Sequence, residues 1–176
     1  MEEAVHIRRA LAACLLALGA VVAVSLNATS ASAAVPCPSG TSGPYGGGLQ
    51  LGTVTYWCDK EIDGPGSAGI SVKWGFDYNP TTNHLRAFAD VLPFQTYFTI
   101  SDTPLNLGDR NGVLKSLTLP HADDAGFVET DPIACHKTAS AFYLANLHLT
   151  VIWPNGQHGF PQTGEIGQSS SVLCRG

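Results

Sequence analysis

Ala141–Trp153 reads AFYLANLHLTVIW, and the fold class turns on it. Its odd positions, Tyr143, Ala145, Leu147, Leu149, Val151 and Trp153, are all apolar, whereas its even positions, Phe142, Leu144, Asn146, His148, Thr150 and Ile152, are mixed. A side-chain period of two with one continuous apolar face is the pattern of a half-buried strand. The β-branched run Thr150-Val151-Ile152 favours strand over helix, because branched side chains pack well on a pleated surface and lose rotamer freedom in a helix. Pro154 ends the ladder, and Asn155-Gly156 supplies residues that tolerate the positive φ of a hairpin turn. A competing reading makes Lys137–Leu147 a short helix feeding a shorter strand. The alternation predicts Leu147, Leu149 and Val151 in the core. Asn146, His148 and Thr150 should face a wetter side, since an amide and an imidazole are costly to bury without partners. His148 is therefore expected to be solvent-facing rather than part of a site.

The same alternation recurs outward from this stretch. Ile70, Val72, Trp74, Phe76 and Tyr78 alternate with Ser71, Lys73, Gly75 and Asp77, an antiparallel strand with one dry and one wet side. Leu85–Leu92 returns with Leu85, Ala87, Ala89 and Val91 on one face, after a turn at Asn79–Asn83. Further strands are expected at Leu49–Cys58, Phe94–Ile100, Val113–Leu119 and Ser170–Cys174, with a short one at Phe127–Thr130. Asp59–Gly69, Ser101–Gly112 and most of His121–Pro132 collect Gly, Pro and charge and read as loops, and Gln157–Gly167 reads as polar and irregular. Short strands separated by Gly/Pro turns, with no long amphipathic helix, indicate an all-β fold: a small disulfide-stabilised antiparallel β-sandwich or barrel.

The amino end has a different character. Arg8 and Arg9 precede the apolar run Leu11–Leu26, and the small residues that follow end in Ala31-Ser32-Ala33. Charge, apolar core and A-x-A exit together read as a secretory signal peptide over residues 1–33, with the mature chain beginning near Ala34. Leu11-Ala12-Ala13-Cys14 spells a lipobox, but the apolar core lies mainly after Cys14, where a lipobox cysteine should follow it. Ala34–Gly48 is rich in Pro, Gly and Ser and is expected to be an irregular arm ahead of a single β domain over residues 49–176. No second apolar stretch of spanning length exists, so no membrane span is expected. The net charge is −5 and no basic run occurs, which makes nucleic acid a poor partner. Charged residues amount to 13%, well below the usual quarter, and in this respect the composition resembles exported proteins of high-GC bacteria.

Cys37, Cys58, Cys135 and Cys174 remain after cleavage. An even number in an exported chain implies disulfides. Three connectivities are possible; Cys37–Cys58 with Cys135–Cys174 is favoured over the nested Cys37–Cys174 with Cys58–Cys135. No pair has C-x-x-C spacing, which argues against zinc and dithiol redox chemistry.

Catalytic signatures are missing: there is no G-x-S-x-G elbow and no S-x-x-K, so no catalytic residue is assigned and no cofactor is expected. His121, Asp123, Asp124 and His136, with Glu129 and Asp131 nearby, form the one candidate metal cluster, set against the blander reading of a solvated acidic loop. Trp74 and Trp153 fall on apolar faces, and Trp57 beside Cys58 is expected to cover a disulfide. Tyr45, Tyr97 and Phe160 lie in or near loops and are the candidate binding platform. The resulting expectation is a secreted, monomeric, non-catalytic module that binds an extracellular ligand: a polysaccharide, the cell envelope or a protein. One such role, protease inhibition, would present Asp59–Gly69 as a rigid exposed loop. The alternative is a small secreted hydrolase with acid/base residues in the 121–136 region.

Overall fold

The computed structural model describes residues 37–47, 54–66, 68–94, 98–120, 126–138 and 141–174. The expected signal peptide, with Cys14 and the expected cleavage site, lies outside them. In chain order the strands are β1 (Ser42–Gly47), β2 (Val54–Asp63), β3 (Gly69–Asn79), β4 (His84–Pro93), β5 (Thr99–Ile100), β6 (Pro104–Asp109) and β7 (Gly112–Thr118). They continue with β8 (Gly126–Glu129), β9 (Ile133–Ala134), β10 (Phe142–Leu147), β11 (Val151–Ile152), β12 (His158–Gly159) and β13 (Gly164–Ser169), before a single helical turn, α1 (Ser170–Leu173).

All pairings are antiparallel. One sheet runs β1-β2-β3-β4-β8, with β9 also on β4; a second runs β13-β10-β6-β7; a third, small one runs β12-β11-β5. β10 packs across β3 and β4, and β6 across β4, so the two larger sheets meet face to face in the manner of a sandwich. The faces that meet are the alternating apolar sets. Ile70, Val72, Trp74, Phe76, Leu85, Ala87, Ala89 and Val91 from one sheet, and Leu105, Leu107, Ala145, Leu147 and Ile166 from the other, are all fully buried. The Trp74 indole N–H crosses to donate to the Gly164 carbonyl at 3.0 Å, satisfying the one polar atom of the largest core residue.

Both sequential bridges are formed, Cys37–Cys58 and Cys135–Cys174, with Cα separations of 5.8 and 5.6 Å. The first ties the amino end to β2. The second ties the segment after β9 to the end of α1. Asn83, at φ 54°, receives the Tyr78 hydroxyl at 2.9 Å and donates to the Cys135 carbonyl at 3.0 Å, which docks this bridge on the β3–β4 turn.

The Ala141–Trp153 stretch keeps its apolar face: Tyr143, Ala145, Leu147, Leu149, Val151 and Trp153 are all buried. It is not one strand, however. β10 ends at Leu147 in the second sheet and β11 restarts at Val151 in the third. Between them two buried threonines replace the ladder. Thr163 Oγ1 accepts from the Leu149 N–H at 3.2 Å and donates to the Leu147 carbonyl. Thr103 Oγ1 accepts from the Thr150 N–H at 2.9 Å. The chain therefore passes between sheets without stranding its backbone groups. Beyond β11, Pro154-Asn155-Gly156 makes a three-residue hairpin loop: the Gly156 N–H reaches the Trp153 carbonyl at 2.8 Å, and Gly156 takes φ 79°.

Several loop assignments are corrected. Asp59–Asp63 continues β2, paired with β3 as far as Asp63↔Gly69, so it is not an exposed inhibitory loop. Its charges are tolerated because β1 pairs only up to Asp59 and leaves the rest of β2 as an edge. Ser42–Gly47, within the expected irregular arm, is β1. Pro104–Asp109, inside the expected loop Ser101–Gly112, is β6, a central strand: Pro104 opens it, where a missing N–H is tolerated, and Leu105 and Leu107 supply the alternation. Gly164–Ser169 is β13 rather than irregular chain. A Cβ on Gly167 would sit 2.4 Å from the Phe142 ring, so that glycine makes room for a neighbour instead of a turn. Ser170–Leu173 is helical, not a closing strand; Ser169 caps it by accepting from the Ser171 N–H. Asp77, expected on the wet side of β3, is buried, as is Gly75.

Candidate functional site

The residues singled out from sequence do not gather at one place. Tyr45 on β1 lies opposite Trp57 on β2, with ring centroids 5.5 Å apart, on the outer face of the first sheet. Phe160 follows β12, beside the second sheet, and at 73% exposed it is the most exposed large apolar residue described. Tyr97, His121, Asp123 and Asp124 lie outside the described residues. His136 is exposed. Among the described residues no three or more His, Cys, Asp or Glu side chains come together as a metal site. Of the acids near His136, Glu129 is held by Arg86 and Asp131 lies 3.9 Å from Lys115.

What the structure assembles instead is a groove on the outer face of the second sheet. The register places Glu165 of β13 opposite Asn146 of β10, Asn146 opposite Asn106 of β6, and Asn106 opposite Ser116 of β7. Residues directly opposite in adjacent antiparallel strands share a face and lie within side-chain reach. The four strands thus present a row of carboxylate, amide, amide and hydroxyl. Within it, Ser116 Oγ donates to Asn106 Oδ1 at 2.7 Å.

Three hollows share lining residues here, Glu165 between one pair and Asp109 between another. The central one, about 160 Å³, is lined by Asn106, Asn146, Leu144, Val113, Asp109 and Glu165 among others. Glu165 also borders a hollow of about 560 Å³ walled by Pro38, Phe160 and Pro161, with His148 and Gln162 inside. Asp109 also borders one of about 410 Å³, with Arg110, Asn111, His136 and Phe142. Each wall has a local origin. Asn146 and His148 are the polar positions of the Ala141–Trp153 alternation, and the turn between β6 and β7 is set by Asp109 accepting from the Asn111 N–H at 2.7 Å. A bulge between β6 and β7 leaves Val113 and Leu114 both exposed at the rim. Arg110 lies over the Phe142 ring, 5.1 Å from its centroid.

One atom in the groove is distinctive. Asn146 Oδ1 is buried and has no hydrogen-bond partner. Unmet buried polar atoms are few in native folds and costly to keep. Asp59 Oδ1 and Glu129 Oε1 share this condition, but each belongs to a carboxylate next to a cation: Asp59 is opposite Lys73, and Glu129 is bridged to Arg86. Asp90, on the other side of Lys73, has its carboxyl raised above the ordinary range, because burial disfavours its charge more than Lys73 favours it.

The row escaped the sequence reading because it is made by strand pairing. Asn106 and Glu165 fall in segments whose Gly, Pro and polar composition predicts loops, and alternation marks Asn146 only as a wet-side residue. Compared with known proteins, the chain matches no family model, no curated protein and no solved structure.

Proposed function

We propose that the protein is exported and acts as a non-catalytic binding module, with the groove on the outer face of β13-β10-β6-β7 as its ligand site. The observation that carries this reading is the row Glu165, Asn146 and Asn106, from β13, β10 and β6, which lines the central hollow, with Glu165 also bordering the larger hollow beside Phe160. A scattered polar surface has no reason to align such groups under a trough. Export is supported by the leader-like sequence of residues 1–33 and by two disulfides of the kind that persist in oxidising compartments. The absence of nucleophile motifs in the sequence, and the engagement of Glu129 and Asp131 with cations, favour binding over hydrolysis.

The test is an amide-resonance titration of the full protein against three soluble panels: neutral oligosaccharides, polyanionic oligosaccharides, and mixed peptides. The expected result is that at least one panel moves resonances of the groove, including Asn146 and Glu165. If no panel moves them, or if binding maps to Tyr45 and Trp57 instead, this groove is not the site.

A further inference from the structure

We infer that the groove takes a neutral, extended polyhydroxyl chain, an oligosaccharide, laid along the Glu165–Asn146–Asn106 row with one ring packed on Phe160. This rests on the reading of the groove as the ligand site and goes beyond it in assigning the ligand's chemistry.

The donor and acceptor inventory is the first argument. Asn146 Oδ1 is a buried acceptor with no donor. Glu165 is an exposed carboxylate in the same row and accepts only. Asn106 Oδ1 already receives Ser116. At Asn146 Oδ1 and at the Glu165 carboxylate a ligand has to bring O–H or N–H donors, while the two asparagine NH₂ groups offer donors in return. A carboxamide beside a carboxylate also offers one donor edge among several acceptors, which matches adjacent hydroxyls that can each donate and accept.

Charge is the second. Among the described residues lining the groove, Arg110 is the one permanent cation, and it lies at one end, over Phe142 and away from Glu165, Asn146 and Asn106. Asp109 and Glu165 line the same trough, and the whole chain carries −5. An anionic polymer laid along the row would meet Glu165 and Asp109, with a single permanent cation, Arg110, at the far end of the trough. A neutral ligand has no such conflict.

Shape is the third. The row crosses four strands, at a spacing of about 4.8 Å each, comparable to the length of one sugar ring in an extended chain. At one end Phe160 is 73% exposed between Pro161 and the Pro38 side of the hollow. A flat, open aromatic ring with apolar flanks suits the C–H face of a sugar ring. A peptide strand would instead satisfy its backbone along a sheet edge, such as β7, rather than across a row of side chains.

The experiment uses the full protein with cellohexaose, mannohexaose and chitohexaose as neutral probes, a uronic-acid hexamer as the anionic probe, and an extended hexapeptide as the peptide probe. Binding is read from backbone amides and from the side-chain NH₂ signals of Asn146 and Asn106. At least one neutral hexamer is expected to shift both side-chain signals. Asn146→Leu should weaken that binding by about tenfold or more, since the ligand's donor loses its acceptor. Its urea unfolding midpoint should be unchanged or raised, because an unmet buried amide oxygen is removed. Phe160→Ala, at an exposed position where folding is not at risk, should weaken binding by about fivefold or more. If groove resonances move only with the anionic or peptide probe, the neutral-glycan inference falls while the groove remains the site. If no probe moves them, both fall. Wild-type affinity in both variants overturns the assignment of these residues.

Discussion

The outer faces of the two large sheets obey the same alternation and reach opposite states. On the six-stranded sheet, Phe88 is fully buried and stacks on Phe127 at 5.4 Å; Arg86 holds Glu129; and Tyr45 packs on Trp57. Gly75 sits in the middle of the aromatic row, between Trp57 and Phe88 in register. Side chains on this face find their partners mainly on the face itself. On the four-stranded sheet the equivalent positions carry Asn146, Asn106 and Glu165 under a trough, and Asn146 Oδ1 finds none. Alternation identifies the side that points away from the core. It does not say whether that side is closed by neighbours or held open.

The sharpest way to break this contrast is Gly75→Ala. A Cβ there would stand 1.9 Å from the Tyr56 carbonyl oxygen and 2.7 Å from Trp57 Cα, both backbone atoms that cannot move aside. The cost should exceed about 4 kcal/mol, or folding should fail, as for other changes that force backbone strain. A urea midpoint close to wild type would mean that β2 and β3 are not so tightly apposed.

Next come two residues that both point away from the core. Phe88→Ala should cost about 3–5 kcal/mol, because a fully buried aromatic leaves a cavity. His148→Ala should stay within about 0.5 kcal/mol, as an exposed residue in an open hollow. Equal losses in chemical unfolding would erase the distinction between a closed and an open face.

Between these extremes stands the passage from β10 to β11. Thr163→Val keeps the shape but leaves the Leu149 N–H and the Leu147 carbonyl without their shared hydroxyl. It should cost about 1–3 kcal/mol, the range for a stranded buried group. Amide exchange at Leu149 should accelerate with it; unchanged protection would show that another group serves that N–H.

The smallest expected effect is a pH dependence. Burial raises the folded-state pKa of Asp90 against the opposing pull of Lys73. The native state therefore holds this proton more tightly than the unfolded chain does. Its contribution is present at low pH and is lost as pH rises from about 4, the unfolded value, through the raised one. Asp90→Asn should accordingly gain on wild type between acid and neutral pH, by less than about 1 kcal/mol because the group remains partly solvated. Midpoints compared at both ends of that range decide it. A difference that shrinks toward neutrality would mean that Lys73 outweighs burial.

The parts of this molecule that sequence revealed are those in which each strand carries its own evidence. β3 and β4 show unbroken alternation, and every residue of their apolar faces is buried, although Gly75, Asp77 and Phe88 of the other face are buried as well. β6 and β13 were hidden because Pro104, Gly108, Gly164 and Gly167 are turn formers by composition. In place they serve a strand start, a bulge and room for Phe142, all of which depend on a neighbouring strand. α1 was hidden because four residues cannot display a helical period. The groove was hidden for a related reason. Phe160 was visible as an exposed aromatic, but Glu165, Asn146 and Asn106 are far apart in the chain, and only register makes them adjacent.

The two disulfides join consecutive cysteines, across 21 and 39 residues. In a chain delivered amino end first into an oxidising space, Cys58 is the first thiol that Cys37 meets. That bridge can close before Cys135 has emerged, and when the last pair arrives no other thiol remains to compete. On the proposed export route, the native connectivity is the one that order of arrival alone would produce, and no disulfide has to be broken and remade.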